Sequence, residues 1–193
     1  MGHNYTSDSD QKAPPESRGL SGAGLKIALV VSDFNREITE ELERGAIEEL
    51  KRRGVKPDDI LTLRVPGAFE LPLGAQSAFE KSPFALTQRE IDAVICLGCV
   101  IRGETSHYDF ICNSCASALQ TVALKFGKPV IAGVLTTENI EQARARSGGA
   151  RGHKGRESAL AALRMVHALR AGDSIEKSAE NFLNSTVETE VSR

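Results

Sequence analysis

The chain has no apolar run long enough to cross a membrane, and its polar, acidic first residues lack the apolar core of a signal peptide. It also lacks a strong charge of either sign. Charged residues make up 26% and the net charge is −2, which argues against a surface built for polyanions or membranes. The basic residues Arg144, Arg146, Arg151, Lys154 and Arg156 come without interleaved aromatics, so no nucleic-acid groove is expected. Neither GxGxxG nor GxxxxGK(S/T) occurs, and with them go the two common nucleotide-binding turns. What these absences leave is a cytoplasmic protein with small-molecule partners and no membrane or nucleic-acid partner.

Cysteine is sparse too. The four fall as Cys96-x-x-Cys99 and Cys112-x-x-Cys115, a spacing that invites zinc. The first pair lies in a run that reads as a strand, where an odd separation points side chains to opposite faces. The second lies in a run of helical period and not in a knuckle turn. Buried free thiols are expected, with no metal and no disulfide.

A chain of 193 residues is long enough for one domain with a substantial core. Residues 1–24, rich in Ser, Asp, Gly and Pro, read as a flexible arm that can dock on a neighbouring copy. Residues 25–172 read as the domain, and 173–193 as a polar tail, helical or frayed. Short apolar runs at 25–32, 60–65, Ala93–Ile101 and 129–135 predict four buried strands. Apolar residues at helical spacing predict helices from Ile38 towards Gly54, over 69–79 and 108–126, from Thr136 to Arg146, and over 156–171. Residues 80–90 read as a surface loop and 147–155 as a glycine-rich basic loop. Strands alternating with helices define an α/β fold: a three-layer sandwich around a four-stranded parallel sheet, flavodoxin-like, with helices on both faces. Right-handed crossovers then place a ligand at the carboxyl ends of the strands.

The unusual residues gather at that edge. Phe34 and Asn35 follow the first strand, and Phe34 is either a lid on the core or a stacking platform for a flat heterocycle. Gly67, Ala68, Phe69 and Glu70 follow the second; Glu70 is either a first-turn acid or an acceptor for substrate hydroxyls. After the third come Gly103, Glu104, Thr105 and Ser106, then His107. Ser106 is a suitable N-cap, with Asp109 placed to answer it as a capping-box acid. A helix N-terminus over a glycine turn offers N–H groups and positive potential to a phosphate. His107 beside it is either a surface histidine or a proton carrier. Glu104 and Asp109 would repel an anion, so a cation is required, and Arg146 or Lys154 is placed to supply it.

Five stretches in order resemble the lumazine synthase family: Ser32 to Asn35, Val65 to Pro72, Gly98 to Cys112, Gly133 to Ala143, and the GHKG of the basic loop. The resemblance implies condensation of 5-amino-6-(D-ribitylamino)uracil with 3,4-dihydroxy-2-butanone 4-phosphate, without cofactor or metal. It implies that Phe34 stacks on the pyrimidine, with Asn35 beside it, and that Ala68, Phe69 and Glu70 hold the ribityl chain. Val100 and Ile101 would meet the ring through backbone groups. Gly103, Glu104 and Thr105 would meet the phosphate, and His107 would carry the proton. Arg146 resembles the phosphate-binding arginine and Lys154 the lysine near the pyrimidine, both lent by the adjacent subunit. The family forms homopentamers, some assembled into sixty-subunit shells. Ala132 departs from the pattern, standing where many members place a phenylalanine. A non-catalytic module of the same fold that holds a flavin or pterin is the alternative; it would release no phosphate.

Overall fold

The structure is a computed structural model; it describes residues 20–81 and 90–191, with side chains to residue 172. Four parallel strands lie in the order β2-β1-β3-β4, with β1 at Ile27–Ser32, β2 at Ile60–Val65, β3 at Ala93–Ile101 and β4 at Val130–Thr137. The helices are α1 at Arg36–Arg52, α2 at Leu71–Glu80, α3 at His107–Phe126, α4 at Ile140–Arg146 and α5 at Lys154–Val191. The three-layer α/β sandwich expected from the alternation is therefore present.

Continuous apolar strands need cover on both faces, and the central strands have it. Every residue of β1 is buried, as are the first seven of β3. Their side chains alternate between two cores. Leu29, Val31, Ile95 and Leu97 meet Leu42, Ala46 and Leu163 from α1 and α5. Val30, Val94 and Cys96 meet Leu71, Ala75, Cys115 and Leu119 from α2 and α3. Cys96 and Cys99 thus point to opposite faces, as the odd spacing requires. Burial pushes the Cys99 and Cys115 thiols up to about 11 and raises Cys96 further, so they are inert neutral groups. Among the described residues, no three His, Cys, Asp or Glu side chains cluster as metal ligands, and no helix is long and apolar enough to cross a membrane.

Several boundaries differ from expectation. Residues 20–24, assigned to the arm, are held on the domain: the Gly22 N–H donates to the Arg53 carbonyl at 2.7 Å, and Gly22 lies against Val55 and Leu163. Thr136 and Thr137 do not open a helix. They continue β4, because β3 supplies partners for them in Val100 and Ile101. The following helix is opened by Asn139, whose side chain accepts from the Gln142 N–H at 2.9 Å. Helix α1 begins at Arg36, two residues early, because Asn35 takes a left-handed conformation that turns the chain at once. Helix α2 is preceded by a tight turn over Ala68–Glu70. Helix α5 passes the expected boundary at residue 172 without a break and continues to Val191. The expected loop at 80–90 and residues 1–19 of the arm lie largely or wholly outside the described residues.

Candidate active site

Three loops at the carboxyl edge are stitched together by their own hydrogen bonds. After β1, the N–H groups of Asp33 and Phe34 donate to the carbonyls of Val65 (2.8 Å) and Pro66 (3.0 Å). The Asn35 amide donates to the Cys99 carbonyl on β3 at 2.9 Å. The Phe34 ring, denied any core to join, stands 68% exposed. After β2, the turn carries Glu70 back over Gly67; a Cβ on Gly67 would lie 3.1 Å from Glu70 Oε2, so glycine leaves the carboxylate its room.

These loops and the first turns of α3 enclose one cleft of about 560 Å³. It brings together Phe34, Ala68, Phe69, Glu70, Val100, Ile101, Gly103, Thr105 and His107 from three separate stretches of sequence. Asn35 and Glu104 are not among the lining residues; the Asn35 amide is committed to Cys99. Arg146 and Lys154 also lie elsewhere. The Arg146 guanidinium is engaged by Glu157 at 2.7 Å and by the Arg151 carbonyl at 2.5 Å, and Lys154 begins α5. Among the described residues, no lysine or arginine lines the cleft.

The turn at 103–106 differs from the expected capping box. Ser106 has helical backbone angles and its side chain caps nothing. Asp109 does not reach back to it. The Arg102 guanidinium takes the Asp109 carboxylate in two bonds of 3.2 Å each, a pairing that residue spacing did not suggest. Among the described residues, the N–H groups of 103–106 meet no acceptor. Thr105 Oγ1 accepts from the His107 N–H at 3.4 Å, which ties the histidine's backbone to the turn.

Phe110 was missed by sequence reasoning. It is 59% exposed and lies nearly parallel to Phe69, centroids 6.0 Å apart, and nearly parallel to the His107 ring, 6.3 Å away. Its signal was available: a phenylalanine three residues after His107, off the apolar stripe of α3 set by Tyr108, Ile111 and Cys115. Exposed rings beside a helix N-terminus suit a flat, partly polar ligand better than a core.

At the carboxyl edge of a parallel α/β sandwich, where such folds take their ligands, this cleft joins exposed aromatic rings, a carboxylate, a turn with open N–H groups and a histidine, the make-up of a small-molecule site. The comparisons make this particular. The family model for 6,7-dimethyl-8-ribityllumazine synthase matches residues 24–170. The 6,7-dimethyl-8-ribityllumazine synthase of Cytophaga hutchinsonii is 51% identical over 138 residues, which cover 72% of this chain and 82% of that protein. The chain belongs to the 6,7-dimethyl-8-ribityllumazine synthase family, transferases of riboflavin biosynthesis.

Proposed function

We propose that the cleft carries the condensation of 5-amino-6-(D-ribitylamino)uracil with 3,4-dihydroxy-2-butanone 4-phosphate as follows. The pyrimidine stacks on Phe34, with its edge along the backbone of Val100 and Ile101. The ribityl hydroxyls lie over Ala68 and Phe69, donating to Glu70. The phosphate sits on the 103–105 turn, where backbone N–H groups and the Thr105 hydroxyl serve it and the Glu104 side chain stays in solvent. The substrate amine attacks the ketone and one water leaves as the imine forms, phosphate then departs by elimination, and ring closure expels a second water. His107 moves the protons, since it stands in the first turn of α3 next to the 103–105 turn assigned to the phosphate. Orientation does most of the remaining work, and no cofactor or metal is called on.

The observation that carries this reading is the convergence of Phe34, Glu70, Thr105 and His107 on one cleft. A dianionic phosphate requires a cation, and among the described residues none lines the cleft. Arg146 and Lys154 supply it from the adjacent copy, so the working unit is an oligomer, which the family resemblance makes a homopentamer built from residues 25–172. Localisation to the cytoplasm belongs to the same proposal. Release of phosphate and of the fluorescent lumazine from the two substrates tests it. His107→Ala is expected to slow both by on the order of tenfold to a hundredfold, with folding intact; an unaltered rate removes His107 as the proton carrier. A binding module would retain ligand and release no phosphate.

A further inference from the structure

Arg102 occupies a singular place in this chain. It follows the last residue of β3, and its N–H donates to the Thr137 carbonyl at 2.8 Å, which fixes its backbone to the end of β4. Its guanidinium forks onto Asp109 through Nη1 and Nη2, and through Nε it meets Glu138 at 3.1 Å. Its plane lies over the Tyr108 ring, 3.9 Å from the centroid. The side chain therefore links the residue before the 103–106 turn to Asp109 and Tyr108 in the first turn of α3 and to Glu138 after β4.

The consequence concerns Asp109. An acid three residues past the N-cap is the natural occupant of a helix N-terminus, because its carboxylate can accept the free N–H groups there. Sequence spacing assigns it that role, and the structure withholds it: Asp109 is drawn onto Arg102, Ser106 has no side-chain cap, and the turn's N–H groups are open. We propose that Arg102 is a positioning residue that keeps Asp109, and with it Glu138, off the helix N-terminus, so that these donors stay free for the substrate phosphate. The inference rests on the reading of that turn as the phosphate site. It removes the repulsion that Asp109 would otherwise present, since one cation pairs with both Asp109 and Glu138 without itself lining the cleft.

The test compares the assembled enzyme with Arg102→Met, Asp109→Asn and the double variant. The readouts are KM for each substrate, competitive inhibition by inorganic phosphate, and the thermal midpoint. Methionine keeps an apolar stem over Tyr108 but frees the carboxylate. Arg102→Met is expected to raise KM for the four-carbon phosphate, and the inhibition constant of inorganic phosphate, by about tenfold, with KM for the uracil little changed. Adding Asp109→Asn is expected to restore both to within about twofold of Asp109→Asn alone, since an amide cannot bring negative charge to the turn. Arg102→Lys, which keeps the charge but not the fork, covers the case of a poorly folded methionine variant and is expected to show a smaller rise in the same two constants. An unchanged phosphate KM in Arg102→Met, or a loss that Asp109→Asn does not relieve, overturns the inference, the latter showing a simple brace. Failure of inorganic phosphate to compete with the four-carbon substrate in the unaltered enzyme overturns the phosphate reading itself.

Discussion

The side-chain amide of Asn35 donates to the main-chain carbonyl of Cys99, 2.9 Å away and sixty-four positions along the chain. That bond joins the turn after β1 to the end of β3, and Asn35 makes it from a left-handed conformation, φ 56° and ψ 48°. Asparagine is among the few residues that tolerate this region, so backbone and side chain call for the same residue. The neighbouring Phe34 stands exposed over the cleft on the strength of this turn.

Asn35→Ala is therefore expected to cost about 2 kcal/mol, from the lost bond and the strained conformation together. Asn35→Gly relieves the strain and keeps only the first loss. Urea unfolding of the two variants checks the order: alanine below glycine in stability. A glycine variant less stable than alanine would show that the conformation carries no strain. Because Phe34 rides on this turn, both variants are also expected to raise KM for the uracil.

A second expectation concerns pH. The His153 ring is half-buried against α1 at Gly45, where a Cβ would run into it, and its Nδ1 has no partner among the described residues. Burial, and after it the Arg156 charge, hold its pKa below the ordinary 6.5, against the opposing pull of Glu41 and Glu48. The unfolded chain therefore takes the proton more readily. The neutral ring's contribution is complete above the ordinary value and is lost as pH falls through the lowered folded value. Urea midpoints measured between about pH 7.5 and 5 are expected to fall less steeply for His153→Asn than for the unaltered protein. Equal slopes would show that the ring is not held neutral by its seat.

Much of the fold was legible because its signals are local. The runs Ile60–Val65 and Ala93–Ile101 end at Pro66-Gly67 and Arg102-Gly103, and the strands end there too. Where a distant partner decided the outcome, sequence order was insufficient. Thr136 and Thr137 are strand because β3 is long enough to pair with them. Asp109 is no capping acid because Arg102, seven residues earlier, reaches it through space. The cleft was legible as a set of loop tips at one edge, and Phe34, Glu70, Thr105 and His107 do meet there. Phe110 was not, because helical period marks the buried stripe and is silent about rings left off it. The seats of Arg146 and Asn35 were not either, since both depend on hydrogen bonds to distant backbone or to a neighbouring element.

Arg146 is held by Glu157 and the Arg151 carbonyl on the outside of its own chain, away from that chain's cleft. Arg146→Ala is expected to raise KM for the four-carbon phosphate by on the order of tenfold or more while leaving KM for the uracil nearly unchanged. Steady-state kinetics with each substrate varied in turn checks this. An equal rise for both would mean that the guanidinium serves folding or the ring instead of the phosphate.

If each cleft borrows its cation from another copy of the chain, mixing two defective variants restores activity. His107→Ala and Arg146→Ala chains, each impaired alone, are unfolded, combined in equal amounts and reassembled. With sites shared between neighbours, about a quarter of the clefts then pair an intact His107 with an intact Arg146, and lumazine formation recovers to about that fraction of the unaltered rate. Recovery no greater than the mean of the two variants would place both residues in one chain's site and rule out a cation lent by a neighbour.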